Sequence, residues 1–172
     1  MSMINTTNFE RQGNIENDIS IDNIEQTREE ILKITKTALR SIKIFTPNLE
    51  RDLYNNNDFR EALLNFCRGN RHAKIQLLSA DTSHGVQYGH QLIRLAKKIT
   101  SSMQIRNTPE EYQEEKISFI LIDKSDFIFK QDYTKQYALK SDCKSRAIKL
   151  YEIFTTIWEQ AEQDPQTKTI NF

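Results

Sequence analysis

The sequence predicts an α/β fold in which a mostly parallel, mixed β-sheet is flanked by helices. Amphipathic segments, with apolar residues at intervals of three and four, alternate along the chain with short β-prone segments. Each β-prone segment ends in a proline or a polar stretch that stops a strand. The last two are separated by a short Asp-Lys-Ser-Asp turn, which predicts an antiparallel hairpin beside the parallel strands. The predicted order of elements is α-β-α-β-α-β-β-β-α.

The first half of the chain predicts two helices and two strands. The first helix is expected to begin near Asp22, which forms a capping-box pattern with Glu25. The segment SIKIFTPN, at 41–48, follows as the first strand. A second helix is expected to be capped by Asp58, and AKIQLLSAD, at 73–81, is the next strand.

The second half predicts one further helix and strand, the hairpin and a long closing helix. The closing helix carries a wide apolar stripe that includes Trp158, and this stripe is interpreted as core. The predicted segments are a polar loop at 82–89, a helix at 90–102, a strand at 103–107, an acidic loop at 108–115, the hairpin within 114–130 and the closing helix at 143–163.

One domain is expected, because 172 residues are enough to bury a core without disulfides or metal. Its predicted limits are residues 22–163. Residues 1–21 are expected to form a flexible polar tail, since they are Asn-rich and begin without apolar periodicity. Residues 164–172 are expected to form a C-terminal tail.

Charge and cysteine content narrow the choice of partners and compartment. Lys plus Arg equal Asp plus Glu at 24 each, so nucleic acid is not expected from net charge, and such binding would require a local patch. The two cysteines lie far apart without a C-x-x-C pair, which favours a reducing cytoplasm. The sequence shows neither a signal peptide nor a membrane-spanning run, so we expect a soluble cytoplasmic protein.

Loops that follow the parallel strands form the predicted ligand site, because α/β sheets bind ligands beyond the carboxyl ends of such strands. His90 lies near a helix start, where free N–H groups favour an anion. A neutral His90 could bond a ligand or the backbone, whereas the helix dipole disfavours its protonation. The candidate ligand-binding residues are Asn48, Tyr54, Asp81, His84, His90 and Arg106, with Ser83 beside them.

A structural interpretation of the same residues stays open. Asn48 follows a proline as a turn residue, Asp81 is a natural loop or cap residue, and a histidine at a helix start is often a hydrogen-bonding group. His84 and His90 with Asp81 provide too few ligands in a fixed spacing to predict a metal. We expect no metal and no cofactor.

Four phrases resemble one half of the phospholipase D superfamily fold. ALRSIKIFTPNL, at 38–49, is similar to the opening helix and strand of that family, and DFREALLNFCRGNRHAKIQLLSAD, at 58–81, to its second helix and strand. EKISFILIDKSDFIF, at 115–129, occupies the place of the strand with the H-x-K-x4-D signature, and AIKLYEIFTTIW, at 147–158, resembles the closing helix. The resemblance covers roughly residues 22–162 and implies a phospholipase D-like half-domain.

Three longer phrases resemble a phospholipase D-like domain of unknown function that occurs alone and at the C-terminus of bacterial GNAT acetyltransferase-like proteins. They are IFTPNLERDLYNNNDFREAL at 44–63, GHQLIRLAKKITSSMQIR at 89–106 and FTTIWEQAEQDP at 154–165. This resemblance implies a bacterial protein. We expect the stand-alone form, since the residues ahead of residue 22 are too few for an acetyltransferase domain.

Aligned on its aspartate, the family signature is degenerate in this chain. Lys116 stands at the histidine position, Ser118 at the lysine position and Asp123 at the aspartate position. In active members of the family, the histidine attacks phosphorus, the lysine neutralises phosphate oxygens and the aspartate supports the hydrogen-bond network. A lysine, with an ordinary pKa of about 10.4, has no free lone pair at neutral pH, and a serine brings no positive charge.

The resemblance therefore implies no confident catalytic residue, and it leaves Asp123 as a remnant of the site. Asp123 is equally explained as the turn residue of the hairpin, or as a partner of Lys124 or Lys116. The tripeptide HAK, at 72–74, also reads H-x-K, but Asp81 falls two positions late, and we interpret it as a solvated basic turn.

The expected function is a non-catalytic phospholipase D-like binding or regulatory module, a pseudoenzyme with an unknown small anionic ligand or a protein partner. One alternative is a divergent phosphodiesterase or phosphatidyltransferase-like enzyme. That enzyme would have to be a homodimer, because active relatives combine two signature motifs. The other alternative is a protein-interaction domain that uses an exposed apolar stripe on a terminal helix, and burial of Trp158 would make that stripe core.

Overall fold

A mixed β-sheet forms the centre of the protein in the computed structural model, which describes residues 3–6 and 17–167. Within these residues the sheet has eight strands in the order β1-β7-β6-β5-β2-β3-β4-β8. The strands are β1 (Ile19–Ile21), β2 (Ser41–Thr46), β3 (Lys74–Ser79), β4 (Met103–Asn107), β5 (Ser118–Ile122), β6 (Asp126–Lys130), β7 (Ala138–Ser141) and β8 (Glu162–Gln163). The helices are α1 (Ile24–Thr35), α2 (Arg51–Tyr54), α3 (Asn57–Cys67), α4 (Ser83–Tyr88), α5 (Gln91–Lys98) and α6 (Lys144–Gln160).

The α/β class, with helices flanking a mixed sheet, is confirmed. The sheet is less parallel than expected, because only the pairs β2–β3 and β3–β4 are parallel, and the remaining pairs in the described sheet are antiparallel. Helices connect the parallel strands, as such crossovers require. The chain between β4 and β5 returns with only a short 3₁₀ turn, so β5 starts at the edge where β4 ends and runs antiparallel to β2.

Asparagines, rather than the predicted aspartates, cap the first two long helices. Asn23 accepts a hydrogen bond of 2.8 Å from the backbone N–H of Gln26 at the start of α1. Asn56 accepts one of 2.8 Å from Phe59 at the start of α3. Asp22 and Asp58 each lie one or two positions away, and the cap is fixed by which residue keeps an extended backbone just before the helix.

Several short elements lie where the sequence predicts loop or tail. The predicted loop at 82–89 contains α4, and β7 and β8 were not predicted. β1, which pairs with β7, and the buried Ile4 place structured residues within the segment 1–21 that was expected to be a tail. At the other end, the buried Asp164 precedes a 3₁₀ turn, Pro165–Thr167, that ends at the buried Thr167 inside the expected C-terminal tail. The remainder of the two expected tails lies outside the described residues.

Two apolar cores lie on opposite faces of the sheet. The first core lies under α1, α3 and α5, and the second core lies between the sheet and α6. Alternate residues of one strand serve different cores, as Ile44 and Phe45 of β2 do. Trp158 is only 8% exposed and belongs to the second core, so the stripe on α6 is core as expected. Across the described part of the chain, each helix is too short or too polar to cross a membrane.

Candidate functional site

A crevice opens at the edge of the sheet where β2, β3 and β6 end. It encloses about 460 Å³. The loops after the two parallel strands supply one wall, and the carboxyl end of β6 with the following turn supplies the other. This is the edge at which such sheets bind ligands. The crevice is lined by Ile24, Asn48, Glu50, Arg51, Asp52, Leu53, Asp81, His84, Lys130, Tyr133 and Thr134.

Three of the predicted ligand residues line this crevice. Asn48 uses its side-chain oxygen to accept a hydrogen bond from the Glu50 N–H, 3.1 Å away. Asp81 accepts from both the N–H and the hydroxyl of Ser83, at 2.9 and 2.5 Å, and these bonds lower the pKa of Asp81. His84 is exposed and packs against Tyr88, with ring centroids 4.5 Å apart. The loop-based prediction thus brings Asn48, Asp81 and His84 together.

The other three predicted residues lie elsewhere. Tyr54 is buried against Phe59, and burial raises its pKa well above 10. His90 caps α5 from inside the first core, where it is 4% exposed. Arg106 lies on the opposite face of the sheet, with its guanidinium 4.3 Å from the centre of the Trp158 ring. These three side chains are absent from the lining of the crevice in the described structure.

A buried polar cluster of Glu50, Ser118 and Lys130 lies at the floor of the crevice, which Glu50 and Lys130 line directly. The Ser118 hydroxyl donates a hydrogen bond to Glu50 Oε1. Lys130 Nζ donates to the Tyr133 carbonyl at 3.1 Å and lies 3.6 Å from Glu50 Oε2. The Glu50 and Lys130 side chains are only 6% and 3% exposed. Burial raises the pKa of Glu50, while the hydrogen bond from Ser118 and the charge of Lys130 act in the opposite direction.

Backbone geometry brings these three residues together. Leu49 and Glu50 both adopt positive φ angles, 70° and 30°, which turn the chain after β2 back toward the sheet. Ser118 on β5 and Lys130 on β6 are directly paired across the hairpin. Within the described residues, Glu50 Oε2 has no hydrogen-bond partner. This oxygen faces the Lys130 ammonium at 3.6 Å, so the ion pair is its main interaction.

Sequence reasoning missed Glu50 and Lys130. Lys130 is the charged end of an otherwise apolar strand, and its pairing with Ser118 follows once the turn of the hairpin is fixed. The sequence therefore contained a signal for the position of Lys130. It contained no signal that Glu50 is buried, because a glutamate in a polar loop is ordinarily exposed.

The three residues that the sequence resemblance aligns with the signature are divided between two edges of the sheet. Lys116 is exposed just before β5, and Ser118 is buried beside Glu50. Asp123 follows the far end of β5, about 16 Å away along an extended strand. Its carboxylate accepts three hydrogen bonds from backbone N–H groups, of Leu39 and Arg40 at 2.7 Å and of Ser41 at 2.9 Å.

Because β5 is antiparallel to β2, the carboxyl end of β5 meets the amino end of β2. Asp123 also donates its own N–H to the Ser41 carbonyl at 3.1 Å, with a φ of 53°. The geometry gives Asp123 a structural role at the start of β2. Neither Lys116 nor Lys124 lies within ion-pair distance of it in the described structure.

The family model for a domain of unknown function, DUF7931, matches residues 23–170. The chain belongs to the DUF7931 family. None of the curated protein sequences compared with it matches. The family description names no activity, so the chemistry of this DUF7931 chain has to be argued from its own residues.

Solved structures with a similar fold include members of the phospholipase D family. Nuc from Salmonella typhimurium has a TM-score of 0.59 at 14% identity, and the alignment covers 86% of this chain and 98% of Nuc. NucT from Helicobacter pylori has a TM-score of 0.60 at 10% identity, with the same coverages of 86% and 98%. At this identity the similarity shows the fold, and the DUF7931 chain therefore has a phospholipase D-like fold.

A third similar structure is TrmBL2, an archaeal chromatin protein whose structure is described as showing a novel mode of DNA binding. Its TM-score is 0.59 at 17% identity, and the alignment covers 90% of the DUF7931 chain. The chain spans 56% of the length of TrmBL2. A fold similar to that of the DUF7931 chain therefore also occurs in a protein described as a chromatin protein.

The residues of the crevice do not form a metal centre. In the part of the chain that the structure describes, no three His, Cys, Asp or Glu side chains are grouped so that they could hold a metal ion. His90, which the sequence places near His84 and Asp81, has both ring nitrogens engaged. Its Nδ1 accepts from the Leu92 N–H at 3.1 Å and its Nε2 lies 3.0 Å from the Leu49 carbonyl.

Proposed function

We propose that this DUF7931 chain is a non-catalytic phospholipase D-like binding module whose crevice holds a small anionic ligand. The observation that carries the proposal is the internal polar cluster at the crevice floor. The signature lysine position is filled by Ser118, which is 1% exposed and donates its hydroxyl to Glu50. A phosphodiester would have to displace that bond to reach the position.

The available side chains also lack the expected nucleophile. Lys116 stands at the signature histidine position, and an ammonium has no lone pair with which to attack phosphorus. Lys130 supplies a positive charge near the floor, but this charge faces Glu50 and is largely neutralised by it. The arrangement supports binding over turnover.

The crevice offers a ligand both donor and acceptor groups. The Arg51 guanidinium and the His84 ring are exposed at its walls. The exposed Asp81 carboxylate can accept hydrogen bonds from hydroxyl groups. A small anion that also carries hydroxyls, of which a mononucleotide is a simple example, satisfies both sets of groups.

Turnover is tested with bis(4-nitrophenyl) phosphate as a generic phosphodiester. We expect no release of 4-nitrophenol above the buffer rate at neutral pH, measured together with the solution mass of the protein. His84→Gln serves as the matched variant, because His84 is the exposed histidine of the crevice. Hydrolysis by the wild type that His84→Gln abolishes would establish the enzyme alternative, and a dimeric mass would support its homodimeric form.

Binding is tested with inorganic phosphate and with adenosine monophosphate, by NMR titration of backbone amides. We expect shifts confined to residues 48–54, 81–84 and 130–134, with tighter binding of the nucleotide than of phosphate. Arg51→Gln should weaken binding severalfold, whereas Arg71→Gln, an exposed arginine at the opposite edge, should not. The proposal fails if neither probe shifts these residues, or if the two variants behave alike.

A further inference from the structure

A second cavity, separate from the crevice, lies on the other face of the sheet. It encloses about 850 Å³. Helix α6 packs against β5 and β6 on this face and leaves the amino-terminal halves of β3 and β4 open. We refer to this cavity as the basic groove. It is lined by Lys74, Ile75, Gln76, Lys97, Lys98, Thr100, Ser101, Ser102, Met103, Gln104, Arg106, Trp158 and Gln163.

The sequences of β3 and β4 indicate that this part of the sheet face is exposed to solvent. Ile75 and Leu77 of β3 belong to the first core, and the residue between them is Gln76. On β4, Ile105 belongs to the same core, while its neighbours Gln104 and Arg106 point the other way. The apolar and polar residues alternate in the amino-terminal halves of β3 and β4, before Leu78 of β3 enters the second core, and such alternation is the pattern of a sheet with one solvated face. The exposed face of these strand halves is polar, so the groove does not need an apolar partner to cover it.

The charged residues in the described part of the groove lining all have one sign. They are Lys74, Lys97, Lys98 and Arg106, and no aspartate or glutamate occurs among the described lining residues. Lys74 and Lys98 are exposed, at the start of β3 and the end of α5. For a chain whose formal net charge is zero, this is a local concentration of positive charge.

Two further observations support a field of positive potential here. Lys43, paired with Gln76 on the same face, has its pKa lowered to about 8 by burial first and then by the charges of Lys124 and Lys74. The guanidinium of Arg106 is held over Trp158, and its Nη1 donates to the Trp158 carbonyl at 2.8 Å. Arg106 Nε is buried and has no hydrogen-bond partner in the described residues.

We propose that the basic groove binds the phosphodiester backbone of a nucleic acid without reading its bases. Lys74, Lys98 and Arg106 complement a row of phosphates, and no carboxylate lies between them in the described part of the lining. Base stacking is not available, because Trp158, the one aromatic side chain among the described lining residues, is buried and already covered by Arg106. Affinity should therefore depend on salt and be nearly independent of sequence.

The test measures fluorescence anisotropy of a labelled 20-nucleotide single strand and of a 20-base-pair duplex between 50 and 200 mM salt. For single strands, three phosphate contacts predict a slope of about −2 in log K against log salt. Lys74→Gln/Lys98→Gln should reduce the slope to about a third of that value. At roughly 0.1 M salt each contact contributes about fivefold, so this double variant should bind roughly 25-fold more weakly.

The matched control is Lys36→Gln/Lys135→Gln, which removes two other exposed lysines and changes the net charge by the same amount. We expect it to bind as the wild type does. Equal losses in the two double variants would overturn the proposal, since bulk charge would then explain the binding. Absence of binding by the wild type, or tighter binding of poly-glutamate than of either oligonucleotide, would also overturn it.

Discussion

Asp123 shows at the scale of one residue how a carboxylate in a hairpin turn can serve the fold. Its carboxylate accepts hydrogen bonds from the backbone N–H groups of residues 39–41, where the chain enters β2. Bonds from backbone donors to a charged acceptor are stronger than neutral ones. The residue therefore fastens the end of one central strand to the start of another.

Replacement of Asp123 by alanine is expected to lower the free energy of unfolding by about 3 kcal/mol, because three N–H groups lose their acceptor and alanine disfavours the positive φ of 53°. Asp123→Asn should cost less, since one oxygen remains and asparagine tolerates this backbone. Urea denaturation measures both. Asp126→Ala is the control, as Asp126 accepts only a side-chain bond from Ser125 in the described residues. Equal losses at the two positions would contradict the strand-fastening role.

At the scale of an element, α5 depends on the histidine that caps it. His90 Nδ1 accepts from the N–H of Leu92, so Nε2 carries the proton and donates to the Leu49 carbonyl. The ring thus ties the start of α5 to the loop after β2. Burial lowers the pKa of His90 from its ordinary 6.5 to about 4, and the charges of Arg51 and His84 act in the same direction.

The stability of the protein should consequently depend on His90 at mildly acidic pH. The folded state holds the ring neutral, so its contribution is complete above pH 6.5 and is lost as the pH falls toward 4. The loss should reach roughly 3 kcal/mol in the free energy of unfolding. His90→Asn keeps a capping oxygen and should remove this pH dependence, as measured by urea denaturation at pH 7, 5.5 and 4. His84→Asn should retain it, and a parallel pH profile for the wild type and His90→Asn would exclude His90 as the source.

At the scale of the whole molecule, the two cores share one sheet and should unfold together. The strands β2, β3, β5 and β6 contribute residues to both cores. Trp158, the sole tryptophan, reports on the second core, whereas Leu63 on α3 lies fully buried in the first. Loss of packing on one side therefore weakens strands on which the other side depends.

Leu63→Ala is expected to lower the free energy of unfolding by about 2–5 kcal/mol. The midpoint seen by Trp158 fluorescence should fall together with the midpoint seen by far-UV circular dichroism. Leu39→Ala makes the same chemical change at a side chain that is 75% exposed, and it should leave both midpoints nearly unchanged. A shift in circular dichroism alone would mean that the two cores unfold separately.

The fold class and much of the element order could be predicted from the sequence, because periodicity is local. The strand Met103–Asn107 agrees with its predicted bounds, and the hairpin around Asp123 forms as expected. Short elements could not be predicted in this way. β1, β7 and β8 each have four residues or fewer, and they become strands only because a neighbouring edge supplies hydrogen bonds.

The candidate site was predictable in its place and only partly in its residues. The rule that loops after parallel strands meet at one edge located Asn48, Asp81 and His84. The same rule misplaced Arg106, because strand alternation turns its side chain to the opposite face. Nothing local distinguishes His90 as a buried cap from a ligand.

Sequence by itself determined the alternation of helices and strands, the hairpin around Asp123 and the edge of the sheet at which the candidate site lies. Tertiary structure alone decided that Glu50 and Lys130 are buried together beside Ser118, and that Asp123 lies at the other edge of the sheet. The reason is physical. A residue carries its polarity and its place in a periodic pattern with it, whereas its partners are set by strand direction and register, which arise only when distant segments pair.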